Sequence, residues 1–563
     1  MRNHDRPWVR RRSRLRRACG LTPLGMLLAI AGCGVSRSAF DAMIYREVRG
    51  VDRPGIGEDE GAALGGEPLG ADAADGAGEA IDLGVPLDLS IERAVLLTLR
   101  NNRGLRAQQL GPVIAATFED LERSVFDPVF EGEISGSFAQ REQYSSSLDD
   151  DITVRNESVF AGVGLRQRLP TGTDVAVSLT GERIDSPNAP DQYLVRPGLT
   201  LTQALLRGAS LSANNAQIER ARLDTRISEY ELRGFTEALV AEVEFTFWEY
   251  LYADLELNIF ERSLGLAQQQ LNETRRRVEV GTVAATELAA ARAEVALRTE
   301  DLINARSNKE RLGLRLVRLI APDEQDAWDL EISVAGEVES EGVVISSVRE
   351  HAELAELLRP ELNEARLRLD QGRLDVIRTR DGLLPQLDYF VTLGKTGYAR
   401  SFGDAWRNID GDGYDLAAGV LLSMPIGNRG PSTTYERARL GRQQASESLR
   451  NLTQLIRLDV REAHLEVERA REQIEATRAT RQLREETLRA ETEKFVVGTS
   501  TAFLVAQAQR DLLASQIGEV RSMVNERQAR IALYRADGSL LIRRAIRAPG
   551  DRPHQSEPLA GVR

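Results

Sequence analysis

The chain states one long-helix pattern twice, and neither statement fits inside a small globular domain. From about Ser212 to Glu279 there is no proline, and Leu257, Phe260, Leu264, Ala267, Leu271, Thr274 and Val278 follow 3,4 spacing, the mark of a coiled-coil seam. At about 1.5 Å per residue such a helix is roughly 100 Å long. Gly281-Thr282 interrupts it, and a second helix is predicted from Ala284 to Ile320, stopped by Pro322. The grammar then recurs. Leu449, Leu452, Ile456, Val460, Ala463, Val467, Ala470 and Ile474 form a seam within a helix predicted from about Thr433 to Lys494; Gly498-Thr499 breaks it, and another helix runs from about Ala502 to Arg535. Val278-Glu279-Val280-Gly281-Thr282 matches Phe495-Val496-Val497-Gly498-Thr499, and the spacing from Gly281 to Gly498 sets the offset between the copies. Internal duplication organises the chain.

Each long helix is preceded by β-like sequence. Val163 to Leu169, Val175 to Thr180 and Leu199 to Leu205 alternate apolar with polar or small residues, as do Leu387 to Leu393 and Val420 to Ile426 less cleanly. Phe126-Asp127-Pro128-Val129 and Leu384-Pro385-Gln386-Leu387 place proline where a helix hands over to a strand. Two clear strands per half, four per chain, cannot close a barrel with an open lumen, so several chains must share one.

The stretch from Met1 to Cys33 sets the compartment. Eight arginines against Asp5 precede an apolar stretch from Leu21 to Ala31, which is too short to span a bilayer permanently and reads as a secretory signal. Ile30-Ala31-Gly32-Cys33 resembles the bacterial lipobox, which makes Cys33 the expected acylated N-terminus. Cleavage there would take the net charge from −13 to −20, because eight Arg and one Asp leave. Val51 to Asp82 has almost no large apolar residue and reads as an acidic tether. The pI of about 5.2 disfavours nucleic-acid binding. Two cysteines and four scattered histidines give no disulfide framework or zinc cluster, so no metal, cofactor or catalytic constellation is expected. Asp410-Gly411-Asp412-Gly413-Tyr414-Asp415 lacks full calcium-loop spacing and reads as a turn between strands. Phe245, Phe247, Trp248, Tyr250 and Tyr252 read as packing residues.

The order helix, strands, long helix, Val-Gly-Thr turn, shorter helix, stated twice, resembles the TolC-like outer-membrane efflux family over roughly Leu87 to Leu541. The stretches that carry the likeness are Val280 to Glu287, Val497 to Thr501, Leu199 to Gly208 and Arg359-Pro360-Glu361-Leu362. The resemblance implies a fold that is mainly α with β: duplicated helical hairpins form a periplasmic coiled-coil tunnel, and strands contribute to a shared trimeric barrel of 12 strands. It further implies a passive exit duct rather than an enzyme, resident in outer-membrane lipid and docked to a periplasmic adaptor and an inner-membrane pump, driven by protons or ATP. Against that frame the expected segments are a signal peptide at 1–32, a lipidated N-terminus and linker at 33–85, repeats at 86–340 and 341–541, and a disordered tail at 542–563. The Leu169-Pro170-Thr171-Gly172-Thr173 hairpin departs from the pattern and adds a strand pair, which either lengthens external loops or enlarges the barrel.

The resemblance places Gly281, Thr282, Gly498 and Thr499 at the periplasmic tip. Relatives hold the tip closed with an acid in the first copy facing a tyrosine and an arginine in the second; here Glu287 keeps the acid while Phe495 and Ser500 stand at the other two positions. Where relatives carry an acidic selectivity ring, this chain has Leu504 and Gln507. The alternative reading is a periplasmic adaptor or coiled-coil scaffold lipoprotein, which the duplicated strands oppose.

Overall fold

The computed structural model describes residues 87–145, 150–186, 189–320, 328, 330–334 and 345–550. Cys33, the signal-like segment, the tether and residues 551–563 lie outside them. The first repeat opens with β1 (Leu87–Asp88), α1 (Ile91–Asn101) and α2 (Arg103–Arg123), and continues into β2 (Val129–Ser145), β3 (Asp150–Arg168), β4 (Thr173–Ser186) and β5 (Ala189–Ala204). It closes with α3 (Leu211–Asn214), α4 (Ala216–Glu279), α5 (Ala285–Ile320) and β6 (Ile332–Ser333). The second repeat runs through α6 (Val348–Leu358), α7 (Pro360–Asp381), β7 (Gln386–Lys395), β8 (Gly397–Ala399), α8 (Phe402–Arg407), β9 (Tyr414–Ser423), α9 (Arg429–Val496), α10 (Ala502–Ala536) and α11 (Leu540–Arg543).

Equivalent signals start the two repeats. Ser90 Oγ accepts a hydrogen bond from Arg93 N–H, and Ser347 Oγ accepts one from Glu350 N–H, each satisfying an orphan donor of the first helical turn. Pro360 sits at the start of α7, where its missing N–H costs nothing. The long helices form because both 3,4 seams face inward: every seam residue named above is buried or half-buried. One core gathers Leu97, Val240, Val243, Leu316, Ile320 and Leu541 between α1, α4, α5 and α11; a second gathers Leu362, Ile456, Val460, Val467 and Leu533 between α7, α9 and α10. Phe247, Tyr250 and Tyr252 are buried, in keeping with a packing role.

The sheet holds the four strands expected and the additional pair, and β2 is the one long strand that no alternating segment marked. Six long strands pair in the order β2-β3-β4-β5-β7-β9, all antiparallel, with short β8 beside β5. Glycine explains why β2 is hard to read: Gly132 and Gly136 alternate with Phe130, Ile134 and Phe138 and dilute the apolar face. The hairpin at Leu169–Thr173 lies inside this sheet, joining β3 to β4. Its turn is anchored rather than free. Asn214 Nδ2 donates to the Pro170 and Gly208 carbonyls at 2.8 and 2.7 Å, and Ala204 N–H donates to the Gly172 carbonyl at 2.9 Å. Gly172 has φ +77°, and a Cβ there would lie 2.1 Å from the Gly208 oxygen, so only glycine fits.

Register aligns one apolar row across the sheet: Phe130, Leu165, Val177, Leu199, Leu393 and Leu416 stand opposite one another on successive strands. The adjoining row, which points to the other face, reads Glu131, Gly164, Ser178, Gly198, Gly394 and Asp415. Phe130 and Leu416 are 68% and 62% exposed, so the apolar face has no partner within the described chain.

Residues 542–550 fall in the segment expected to be disordered, yet the structure seats them against the helices. Arg544 makes two hydrogen bonds, at 2.6 and 2.8 Å, to the fully buried carboxylate of Glu244, and Ile546 and Ala548 pack on the first core. The Gly550 carbonyl accepts from Arg233 at 3.1 Å. A buried anion on α4 and the apolar core beside it hold what local composition alone reads as a frayed end.

Candidate functional site: the duct wall and its tip

The two interhelical turns are built from the same bonds. Gly281 N–H donates to Val278 O at 3.0 Å and Thr282 N–H to Arg277 O at 2.9 Å; Gly498 N–H donates to Phe495 O at 3.1 Å and Thr499 N–H to Lys494 O at 2.8 Å. Each threonine hydroxyl donates to the carbonyl that its own N–H already engages. This is the Schellman arrangement, with the glycine left-handed at φ +77° and +81°. No atom lies within 4 Å of where a Cβ would stand at either glycine, so backbone conformation alone selects the residue.

The side chains around the turns are not alike. Phe495 lies under the Arg277 guanidinium, 5.2 Å from ring centroid to Cζ, and thereby joins the second tip to the first. Glu287 is half-buried on the first turn of α5 and makes no ion pair among the described residues, and no bond joins it there to Phe495 or Ser500. Ser500 turns back instead and donates to Glu491 at 2.7 Å. Lys494 also bonds Glu491, at 2.6 Å, and these two partners hold that carboxyl below its usual range, Lys494 foremost. Leu504 and Gln507 are both exposed on the first turns of α10, beside Phe503 at 65%. Sequence reasoning missed Arg277. The available signal was duplication: Arg277 stands to Gly281 as Lys494 stands to Gly498, so both long helices end in a cation.

Farther along the hairpins, ion pairs join the repeats. Arg298, 6% exposed, pairs with Glu294 at 2.6 Å and Asp301 at 3.2 Å, and Glu294 is in turn approached by Arg510 at 3.5 Å. Glu249 receives two bonds from Arg521 and one from Gln528, while Arg521 stacks 3.9 Å from the Tyr252 ring. Glu237 lies deeper. Its Oε1 has no hydrogen-bond partner, and burial pushes the carboxyl up to about 7 although Arg233 pulls it down. None of the described helices is long and apolar enough to cross a membrane, and no metal-binding cluster occurs among the described residues.

A sheet with one apolar face and one polar face, set on two helical hairpins whose long arms have 64 and 68 residues, defines an outer-membrane channel subunit: an arc of barrel above a wall of tunnel. The chain belongs to the outer membrane efflux protein family, whose sequence profile it matches over residues 173–321 and 352–539. It is 27% identical over 347 residues to the pyoverdine export outer membrane protein OpmQ of Pseudomonas putida, covering 59% of this chain and 67% of that one. Two solved structures share the fold at 18% identity. They are a membrane protein from Pseudomonas aeruginosa, with TM-score 0.61 over 80% of this chain and 94% of that one, and the Campylobacter jejuni CmeC outer membrane channel, with TM-score 0.59 over 80% and 86%. The chain is accordingly an outer-membrane efflux channel that extends into the periplasm, a duct rather than an enzyme, and the adaptor and scaffold alternatives are set aside. Members of the family are trimeric and work with periplasmic adaptors and inner-membrane pumps.

Proposed function

We propose that three copies of this chain form the exit duct of a tripartite efflux or secretion system, anchored in the outer membrane through an acylated Cys33 and docked at the Gly281 and Gly498 tips to a periplasmic adaptor. An inner-membrane transporter delivers the cargo, and the duct passes it outward without chemistry. The apolar row from Phe130 to Leu416 carries this reading, because an exposed apolar sheet face requires lipid and a six-stranded arc requires further copies to close it. At the tip, Leu504 and Gln507 would line the constriction with apolar and amide groups, and a ring without carboxylates binds cations weakly. Conductance of the purified channel in planar bilayers should therefore be unaffected by low millimolar divalent or trivalent cations. Strong blockade from the periplasmic side would overturn this account of the gate, and a chain that remained monomeric in mild detergent would overturn the trimer.

A further inference from the structure

The two repeats are not the same length, and the surplus is a strand pair. Ser90 and Ser347, which cap the opening helices, are 257 apart in number, and so are Pro128 and Pro385 at the helix-to-strand handover; the tip glycines Gly281 and Gly498 are only 217 apart. The first repeat is thus the longer by 40 between Pro128 and Gly281. The segment from Val129 to Arg168, which holds β2 and β3, has that same length. It also precedes Thr173, where the family match begins.

We infer that this inserted hairpin is part of the membrane wall, so that three copies close an 18-stranded barrel in place of the 12-stranded one the resemblance implies; the inference rests on the trimeric reading above. Each of the six strands has at least 10 residues, enough to cross the hydrocarbon core when tilted. β2 and β3 supply Phe130 and Leu165 to the same apolar row as the other four, whereas an external loop would have no need of that face. The turn that follows β3, Leu169–Thr173, is bonded to Asn214 at the start of the helical region and to Ala204 of β5, which holds the foot of β3 at the level of its neighbours.

The edges also match. β2 and β9 each pair on one side only among the described residues. An even number of antiparallel strands makes them run in opposite directions, and both meet the helical region, β2 at Val129 and β9 at Ser423. β9 of one copy can therefore continue antiparallel into β2 of the next. Setting Val129 level with Ser423 brings Gly132 opposite Val420 on the apolar face, because pairing partners share a face. Barrel diameter grows roughly linearly with strand number, so the outer-membrane lumen widens by about half while the helical tunnel keeps its own bore.

Cysteine pairs in the full chain test this. Gly132→Cys with Val420→Cys, neighbouring β9 positions Ala418 and Leu422 covering a slip of two, should on oxidation give covalent dimers and trimers in non-reducing gels, absent from the unsubstituted parent. A twelve-stranded barrel excludes β2 and sets β4 against the β9 of the next copy. Cross-linking of Val177→Cys with Val420→Cys, without cross-linking at Gly132, would then overturn the inference and leave the trimer standing. Trimers with neither cross-link are decided by counting strands in cryo-electron microscopy maps: 18 supports the inference and 12 overturns it. A monomer with neither cross-link removes the trimeric reading together with the barrel.

Discussion

Helices α4 and α9 occupy the same place in the two repeats and end in the same turn, yet α4 buries 21 of its 64 residues and α9 five of its 68. The five in α9 are Ile456, Val460, Val467, Ala470 and Ile474. Their counterparts in the first copy, at the spacing of the two tip glycines, are Leu239, Val243, Tyr250, Ala253 and Leu257, all buried or half-buried. The seam is therefore common property. The rest of the burial in α4 comes from the second repeat, whose α7 and α10 lie alongside it, and from the docked segment 543–550; α9 packs on α7 and α10 of its own repeat but, among the described residues, on no helix of the first to a comparable extent. Leu440, Leu455, Leu465 and Leu483 consequently stand exposed on α9. Duplication copies the contact that makes a hairpin. It does not copy the contacts that depend on what lies beside the hairpin, and the open face of α9 has no cover among the described residues.

This contrast can be broken most forcefully at Glu244. Arg544→Ala leaves a fully buried carboxylate unpaired and should cost about 3–5 kcal/mol, read as a lowered urea midpoint of the purified protein in detergent. The residue equivalent to Glu244 is the exposed Arg461, and Arg461→Ala should stay within about 0.5 kcal/mol. Next come positions where the repeats agree. Leu316 and Leu533 are equivalent and both 0% exposed, so Leu316→Ala and Leu533→Ala should each cost roughly 2–5 kcal/mol, and a large disparity would refute equivalent seams.

A third difference is electrostatic. Glu237 has its carboxyl raised to about 7 in the fold, above its ordinary 4.5, by burial against the pull of Arg233. The folded state holds the proton more tightly, so the contribution to stability is complete below about pH 4.5 and is lost as pH rises through about 7. The second repeat carries Gln454 at the equivalent position. Glu237→Gln should therefore flatten the decline in stability between pH 5 and pH 8, by up to about 3 kcal/mol. An unchanged pH profile would show that Glu237 ionises freely in the fold. The smallest effect is expected at the tips. Gly281→Ala and Gly498→Ala should each cost about 1–2 kcal/mol of local stability, equally in both turns, seen as faster hydrogen exchange of the tip amides.

Much of the wall is legible without coordinates. The 3,4 seams, the two glycine turns and the repeat offset are local or periodic signals, and the helices they predict begin and end within a few residues of α4, α5, α9 and α10. Tip chemistry is less legible, since Arg277 over Phe495 is a contact between the ends of two long helices that lie in different repeats. β2 is hidden because glycines at every other apolar position weaken the alternation that marks a strand. The duplicated hairpins and their turns are written locally in the residues, because helix periodicity and left-handed glycine are properties of a short stretch of chain. That six strands share one apolar face, that residues 543–550 dock, and that α4 is enclosed where α9 is open came from the fold. Each of those depends on which distant surface arrives alongside, and burial is a property of the pair rather than of either partner.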